Sequence, residues 1–293
     1  MEILEVKHLL ATQLDELVQL RPMPVVAMQI MKACREKQVS VKTLVQIAEC
    51  DPAISSRILA TVNSSVYGYS RQVTSIGQAV VVLGFKNLSE LAVSVAMSNV
   101  FSEDDSLGQD RQKLFEHSLG CASVSRVLAS KSSFASDPGE AFLAGMMHDI
   151  GKLIFFDLAP VQYRTIEDNR EQQSPLQIEQ QTFGVDHTVL GAKFGEFWGL
   201  PAGIQQAIAD HHIAIPASQP QPPNEVTVIT NIANDLAKSW GIGQPNDAPE
   251  ALLGQASEAW LLDQSSDSIE QIQSVAMEHF AELNSLLRPT ATS

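Results

Sequence analysis

Apolar residues recur along most of this chain at intervals of three and four positions, the spacing that places them on one face of an α-helix. The alternation of apolar and polar residues that marks a half-buried β-strand is nearly absent. A β-branched run at residues 226–230 is the one candidate strand, but Ile232, Ala233, Leu236 and Ala237 continue it with helical spacing. The pattern therefore predicts an all-α protein.

Residues that start and stop helices punctuate this pattern. Asp51, Asp137 and Ser174 each precede a proline, which is typical of an N-cap followed by a proline in the first helical turn. Asp186 is a further N-cap candidate, and Gly184 can end the preceding helix in the left-handed conformation. We therefore expect successive helices with short connections.

A similar pair of signals lies in the first third of the chain. Ser75 can cap a helix that runs through Leu83, and Gly84 can end it. Asn87 and Glu90, three positions apart, form a variant of the capping box and predict the start of the next helix there.

Two changes in composition indicate boundaries. The polar residues 102–108 are typical of a linker between two helical lobes, and the proline-rich residues 215–224 of an exposed loop within the second lobe. We expect an N-terminal helical lobe at residues 1–107, a second helical lobe at residues 108–245 and a C-terminal helical extension at residues 246–293. The last predicted helix, residues 268–287, has an apolar face for the second lobe or for a second chain in a homodimer.

The composition narrows the functional classes. The 293 residues include 19 Lys and Arg against 34 Asp and Glu, a net charge of −15, so the chain lacks the cationic field that attracts nucleic acid or anionic lipid. We expect no apolar stretch of the ~20 residues that a membrane span needs. The three cysteines form no CxxC pair, which argues against a disulfide framework and a thiolate zinc site. These features favour a cytoplasmic protein without general nucleic-acid binding.

The histidines are concentrated in one segment. The chain has seven, and five of them fall in its central part: His117, His148, His187, His211 and His212. Imidazole nitrogen together with carboxylate oxygen suits transition metals of borderline hardness. The adjacent His148 and Asp149 are therefore the sharpest candidate for a metal site.

Neighbouring residues on a helix point about 100° apart, so His148 and Asp149 need further ligands from other helices. His117 lies on a predicted helix upstream, and Asp235 lies on one downstream. A helical bundle can bring such side chains together in its core. The alternatives are a hydrogen-bonded core or surface histidine at His117 and a plain surface charge at Asp235.

A second ion is also conceivable. His187 and the tandem His211 and His212 could hold it, with Asp149 as the ligand that both ions share. A solvated helix end would expose either histidine of the tandem instead. Lys152 is a candidate partner for phosphate, and its alternative is an ordinary solvated side chain.

The order of these residues resembles that in the HD superfamily of metal-dependent phosphohydrolases. The resemblance is closer to the HDOD family, whose proteins lie mostly in bacterial signalling systems. Its core motif is similar to residues 142–152, which read FLAGMMHDIGK. The likeness spans about residues 17–240 and also includes Leu20-Arg21-Pro22-Met23-Pro24, Asp51-Pro52, Asn63-Ser64, Tyr67, Ile76, Ala79, Leu83-Gly84, Trp198-Gly199-Leu200-Pro201 and Ile208-Ala209-Asp210-His211-His212.

The resemblance implies two helical lobes, the second an HD-type bundle with a metal site in its core. It implies one or two divalent ions of iron, manganese or zinc, and the ligands His117, His148, Asp149, His187, His211, His212 and Asp235. The related HD-GYP phosphodiesterases have a glutamate and a Gly-Tyr-Pro loop where this chain reads Ile213-Ala214-Ile215-Pro216. This departure argues against a cyclic dinucleotide substrate.

Three functional hypotheses follow from the resemblance. The first is a regulatory protein that binds a signalling partner or a small phosphorylated ligand, with the metal serving structure or ligand binding. The second is an active metal-dependent phosphohydrolase, with Asp149 and Lys152 as catalytic residues and water activated by the ions. The third is a scaffold that binds no metal.

Overall fold

The structure, a computed structural model, describes residues 3–12, 25–35, 39–64, 69, 71–101, 108–131, 136–168, 174–213, 224–243 and 268–287. Every regular element in these ranges is an α-helix, which confirms the all-α prediction. The helices are α1 (Ile3–Thr12), α2 (Val25–Arg35), α3 (Val41–Ala48), α4 (Pro52–Val62), α5 (Ile76–Phe101), α6 (Gly108–Lys131), α7 (Pro138–Met147), α8 (Ile150–Leu158), α9 (Pro160–Asp168), α10 (Pro175–Phe183), α11 (His187–Phe197), α12 (Ala202–Asp210), α13 (Glu225–Ser239) and α14 (Ile269–Leu287).

The predicted caps place most helix ends correctly. Oδ1 of Asp51 accepts hydrogen bonds from the first turn of α4, and Asp137 and Asp186 do the same for α7 and α11. Ser174 precedes α10 as predicted, although its side chain makes no capping hydrogen bond. Gly184 ends α10 with φ +84°, the left-handed conformation that glycine adopts without strain. Residues 226–230 lie within α13 and form no strand.

Gly84 was predicted to end a helix, and it interrupts α5. Its φ of +78° and ψ of 168° are non-helical, and helical turns continue on both sides of it. Asn87 does not open a new helix as an N-cap. Its side-chain amide instead donates 2.9 Å to the carbonyl oxygen of Leu83, which bridges the interruption.

One segment of α5 corrects the expectation that the chain has no apolar stretch long enough to span a membrane. Residues Ile76–Ser98 are long and apolar enough to cross a membrane, with a mean hydropathy of 1.5. However, 67% of the segment is buried inside the protein, which is the behaviour of a core helix.

The chain divides into two compact units. The larger unit contains residues 1–22 and 104–277, and the smaller unit contains residues 23–103 and 278–293. The domain limits predicted from the sequence remain a prediction. Outside the described residues lie residues 102–107 of the predicted linker, residues 215–223 of the predicted loop, residues 20–24 and Tyr67.

The smaller unit packs α2, α3 and α4 against α5. Asn63 at the end of α4 joins the following loop to the helix. Its side chain accepts from the amide of Val73 at 2.7 Å and donates to the carbonyl oxygens of Val73 at 2.7 Å and Leu59 at 2.8 Å. Near the end of α14, the Ser98 hydroxyl donates 2.8 Å to the carbonyl oxygen of Leu287.

The larger unit packs α6, α7 and α13 together, with α11 and α12 beside them. Two glycines permit close approaches between helices. A Cβ at Gly145 would lie 2.7 Å from the Cα of Ala122, so α7 can lie directly against α6. A Cβ at Gly151 would lie 2.0 Å from the carbonyl oxygen of His187, so the start of α8 lies against the start of α11. This second contact places the start of α11 beside the junction of α7 and α8.

Candidate metal centre

Polar side chains meet inside the larger unit, and most of them lie at helix ends. His148 follows the last residue of α7, and Asp149 precedes the first residue of α8. His187 is the first residue of α11, and His211 follows the last residue of α12. Asp149 has φ −99° and ψ 14°, outside the helical range. This change of direction lets His148 and Asp149 face the same point, which neighbours within a helix cannot do.

The carboxylate of Asp149 is the centre of the cluster. Its Oδ2 lies 3.3 Å from Nε2 of His148 and 3.7 Å from Nε2 of His117, which comes from the middle of α6. Its Oδ1 lies 3.4 Å from Nε2 of His187 and 3.4 Å from Nε2 of His211. Each carboxylate oxygen therefore faces its own pair of imidazoles.

His212 extends the second pair. Its Nε2 lies 3.1 Å from Nε2 of His187, and Nε2 of His211 lies 3.4 Å from the same atom. His212 is partly exposed, whereas the other four histidines and Asp149 are buried. The structure thus brings together all five histidines of the central segment and Asp149.

The other ring nitrogen of three histidines points away from Asp149 toward an acceptor. Nδ1 of His148 donates 2.7 Å to the carbonyl oxygen of Gly145, and Nδ1 of His211 donates 2.9 Å to that of Ile208. Nδ1 of His187 donates 2.7 Å to a buried carboxylate oxygen. Because these oxygens accept, Nδ1 of each ring carries a proton, and Nε2 carries a lone pair whenever the ring is neutral.

In their neutral form these three rings therefore direct Nε2 lone pairs at one another and at the carboxylate of Asp149. No proton is available between Nε2 of His187 and Nε2 of His211. Oδ1 of Asp149 and Nε2 of His148 are buried without a hydrogen-bond partner, and each such atom costs about 1–3 kcal/mol. A cation would satisfy these lone pairs, and an outward N–H held by a carbonyl or carboxylate is typical of metal-binding histidines. The residues fit a metal site.

Three of the histidines are held neutral, the form that binds metal. Burial lowers the pKa of His117 and the pKa of His211 to about 3. Burial lowers the pKa of His212 as well, and the neighbouring imidazoles of His211 and His187 lower it further.

His148 and Asp149 are coupled by charge. Burial opposes a charge on His148, but the carboxylate of Asp149 outweighs this effect and raises the pKa of His148 to about 10. Burial likewise opposes the charge of Asp149, yet His148 and Lys152 hold the pKa of Asp149 well below its usual range. The carboxylate thus draws positive charge into the cluster, as a proton or as a metal ion.

Among the residues that the structure describes, two overlapping sets of side chains could hold a metal ion. The three-donor group contains His117, His148 and Asp149, and the four-donor group contains Asp149, His187, His211 and His212. Within each group the candidate ligand atoms lie within 4.8 Å of one another. Asp149 is common to both.

The amino-acid sequence matches the family model of the HDOD domain over residues 20–214, which is more than half of the chain. The chain belongs to the HDOD family. This HDOD chain is also 22% identical over 205 residues to an uncharacterised protein of Treponema pallidum (strain Nichols). The match covers 69% of the HDOD chain and 39% of that relative, which is much the longer protein.

Solved structures share the fold of this HDOD chain. An HDOD domain protein of unknown function from Geobacter sulfurreducens has a TM-score of 0.73 at 21% identity, covering 94% of this chain and 99% of its own. A protein from Shewanella amazonensis SB2B, provisionally named a phosphohydrolase, has a TM-score of 0.71 at 22% identity. The match covers 94% of this chain and 98% of that protein. A protein from Marinobacter aquaeolei VT8, provisionally named a signal transduction protein, has a TM-score of 0.69 at 20% identity. The match covers 93% of this chain and 60% of that protein.

In the HDOD chain, Asp235 belongs to neither donor group, contrary to its predicted role as a ligand. The preceding residue, Asn234, faces the cluster instead: its Oδ1 lies 3.0 Å from Nε2 of His117, and it is buried. Consecutive residues of α13 point about 100° apart, so the two cannot both face inward. Asp235 lies in a half-buried position, where burial raises the pKa of its carboxyl to about 6. The inward position belongs to an amide.

Lys152 lies beside the shared carboxylate. Its ammonium donates 2.9 Å to Oδ2 of Asp149, and only 8% of the residue is exposed. The alternative of an ordinary solvated side chain is therefore wrong. Its role as a phosphate partner stays a prediction.

Glu179 was not predicted, although it completes the surroundings of His187. Its Oε2 accepts from the backbone N–H of His187 at 2.8 Å and from Nδ1 of His187 at 2.7 Å. Its Oε1 accepts 2.9 Å from the hydroxyl of Tyr163, and Glu179 is fully buried. One signal was available, because Glu179 lies four residues before Phe183 and thus on the apolar face of α10.

Asn231 is a second residue that sequence reasoning missed. Its side-chain amide donates 2.9 Å to the carbonyl oxygen of His211 and 2.9 Å to that of Ile213. These bonds hold the turn after α12 that carries the two adjacent histidines.

Proposed function

We propose that this chain is a regulatory HDOD protein whose larger unit binds two divalent transition-metal ions, and that the metal-bound form recognises a signalling protein or a small phosphorylated ligand. The observation that carries the proposal is the set of five inward Nε2 atoms around one carboxylate. The Nδ1 protons of His148, His187 and His211 point outward, and positive charge beside Asp149 comes from the Lys152 ammonium and from a proton on His148. A metal ion would take the place of that proton.

The shared carboxylate supports two ions over one. Oδ1 and Oδ2 of Asp149 face different imidazoles, so each oxygen can serve one ion. A bridging carboxylate is the usual link between two metals about 3.5–4 Å apart. The imidazole donors support iron or zinc, because imidazole suits these ions better than magnesium or calcium, and the carboxylate of Asp149 also suits manganese.

The burial of the donors supports a structural and regulatory role for the ions. All candidate ligands except His212 are buried, and closed metal sites are typically structural, whereas catalytic sites keep an open position. Ions bound by helix ends from four helices would stabilise the larger unit, since metal affinity is folding free energy when the site forms only in the folded state.

Hydrolysis of a phosphate ester is the second candidate, and the position of Lys152 favours it. Its ammonium adds positive charge next to Asp149, and the partly exposed His212 marks the side from which a ligand could approach. Two bound ions would supply a water molecule of lowered pKa and a clamp for phosphoryl oxygens. In this role Lys152 would hold Asp149 and offer its charge to a phosphate.

Location in the cytoplasm belongs to the same proposal. Cys34, Cys50 and Cys121 are all free thiols, and the thiol of Cys121 is buried. Persistent free thiols are typical of a reducing compartment.

Two matched variants of the full chain test the proposal. Asp149→Asn and Asp235→Asn each replace a carboxylate by an amide, but only the first lies in the cluster. After loading with Zn²⁺ and gel filtration, elemental analysis should find about two ions per chain in the wild type and in Asp235→Asn, and at most one in Asp149→Asn. A wild-type protein that retains no ion would contradict the proposal and leave the metal-free scaffold.

A second measurement separates the two functional candidates. The Zn²⁺-loaded and Mn²⁺-loaded proteins are incubated with bis(p-nitrophenyl) phosphate and a panel of nucleotides. Turnover that disappears in Asp149→Asn and persists in Asp235→Asn would favour the hydrolytic role. Absence of turnover, together with capture of a partner by metal-loaded but not by chelator-treated protein, would favour the regulatory role.

A further inference from the structure

We infer that the two donor groups bind metal with unequal affinity, so that the four-donor group holds a resident ion and the three-donor group an exchangeable one. The inference rests on the proposed function and adds a property to it. Asn234, the residue that takes the inward position expected for Asp235, produces much of the difference.

The four-donor group is already arranged for an ion. It offers one carboxylate and three imidazoles, which is a complete tetrahedral set. The outward N–H groups of His187 and His211 are held by Glu179 and by the carbonyl oxygen of Ile208. Their Nε2 lone pairs are therefore free to bind before any ion arrives.

The three-donor group is arranged less favourably. Both ring nitrogens of His117 face oxygen atoms: Nε2 lies 3.0 Å from Oδ1 of Asn234, and Nδ1 lies 3.4 Å from the carbonyl oxygen of Ile242. The shorter contact places the ring proton on Nε2, the atom that would bind metal. For an ion to bind in this group, the ring proton of His117 must move to Nδ1, which faces the carbonyl oxygen of Ile242 at 3.4 Å, and the contact with Asn234 must break.

The charges around the two donor groups add to the difference in their metal affinity. Asn234 contributes a neutral amide where a carboxylate would contribute a negative charge, so two divalent ions would share the single charge of Asp149. The ammonium of Lys152 already lies 2.9 Å from Oδ2, the carboxylate oxygen on the side of the three-donor group. Once the four-donor group is filled, the next ion enters a site with little remaining negative charge.

This arrangement gives the three-donor group the property of a sensor. Its occupancy would follow the concentration of free metal while the resident ion keeps the larger unit folded. A change at His117 would then pass to α6 and α13, because His117 lies in α6 and Asn234 in α13.

Calorimetric titration of the chelator-treated full chain with Zn²⁺ alone tests the inference. The wild type should bind two ions in separate steps whose affinities differ at least about tenfold. His117→Ala should remove the weaker step and retain the stronger one, and His212→Ala should weaken the stronger step.

Asn234→Asp should strengthen the weaker step about tenfold and change the stronger step much less, because the added charge lies beside His117. Asp235→Asn is the matched control and should leave both steps as in the wild type. Circular dichroism checks that each variant is folded, and the wild-type titration decides the question even if a variant is not.

Two ions that bind with one common affinity would overturn the inference and leave the proposed function intact. The same holds if Asn234→Asp strengthens both steps equally or neither. Absence of any Zn²⁺ binding by the wild type would overturn the proposed function, and the inference with it.

Discussion

Replacement of Glu179 by glutamine is the sharpest perturbation of the metal centre that leaves its donors in place. Glutamine has the shape of glutamate and can turn its oxygen toward both N–H groups of His187 and its amino group toward Tyr163. The change therefore removes the negative charge behind His187 while the hydrogen-bonded geometry is kept. We expect weaker metal binding with little change of fold.

The structure sets the size of the effect. Hydrogen bonds to charged groups contribute about 1.5–3 kcal/mol and neutral ones about 0.5–1.5 kcal/mol. Loss of the charge at the 2.7 Å bond to Nδ1 of His187 should thus cost about 1–1.5 kcal/mol of metal binding, which is about tenfold in affinity. This value agrees with the roughly 10–100-fold losses typical of changes behind metal-binding histidines.

Two measurements on the full chain are needed. Calorimetry with Zn²⁺ gives the affinity of the stronger step, and urea unfolding of the chelator-treated protein gives stability without metal. Glu179→Gln should lose about tenfold in affinity and about 1 kcal/mol in free energy of unfolding, through its weaker bond to the backbone N–H.

Tyr163→Phe is the matched control. It keeps a ring that stacks against Phe155 and lies tilted beside Phe183, and it removes only the hydroxyl that donates to Oε1 of Glu179. It should lower the free energy of unfolding by about 1 kcal/mol and change Zn²⁺ affinity by less than about threefold. If Glu179→Gln lost stability but bound Zn²⁺ like the wild type, Glu179 would have a merely structural role and the reasoning would be refuted.

Three further predictions concern metal, packing and pH. Zn²⁺ at about 100 times its dissociation constant should raise the free energy of unfolding by about 2.7 kcal/mol per ion, and equal melting temperatures with and without chelator would contradict this. Gly151→Ala should abolish Zn²⁺ binding, because its Cβ would lie 2.0 Å from the carbonyl oxygen of His187, whereas Gly77→Ala, with its nearest contact at 3.6 Å, should bind normally. In the metal-free protein, the pKa values of His117 and His211 are lowered from 6.5 to about 3, so the free energy of unfolding should fall as pH drops from 6.5 toward 3. The pKa of His148 is raised from 6.5 to about 10, so the free energy of unfolding should also fall as pH rises from 6.5 toward 10. A pH-independent free energy of unfolding across this range would contradict that account.

Local signals explain which parts of the fold could be predicted. The cap at Asp51 depends on a side chain and the two or three amides that follow it, and the stop at Gly184 depends on one dihedral angle. Both are properties of short segments, so the sequence predicts them well. Asn87 was misassigned because its amide could donate backward to Leu83 as well as accept from the turn ahead.

The candidate site shows where sequence reasoning ends. The order of the histidines indicated which residues meet through its resemblance to the HD superfamily, and a helical bundle can bring such residues together in its core. The choice between Asn234 and Asp235 depends on the rotation of α13 against α6, a property of packing between distant segments. Glu179 was missed for a related reason: its partner His187 lies eight residues later and across a helix break.

Anomalous diffraction at the zinc edge from crystals of the Zn²⁺-loaded protein tests the central claim most directly, because it locates ions without reference to activity. Our prediction is two peaks about 3.5–4 Å apart on the two sides of the Asp149 carboxylate, with the higher occupancy between His187, His211 and His212. Crystals with no peak within bonding distance of Asp149, or with peaks at surface carboxylates instead, would contradict it.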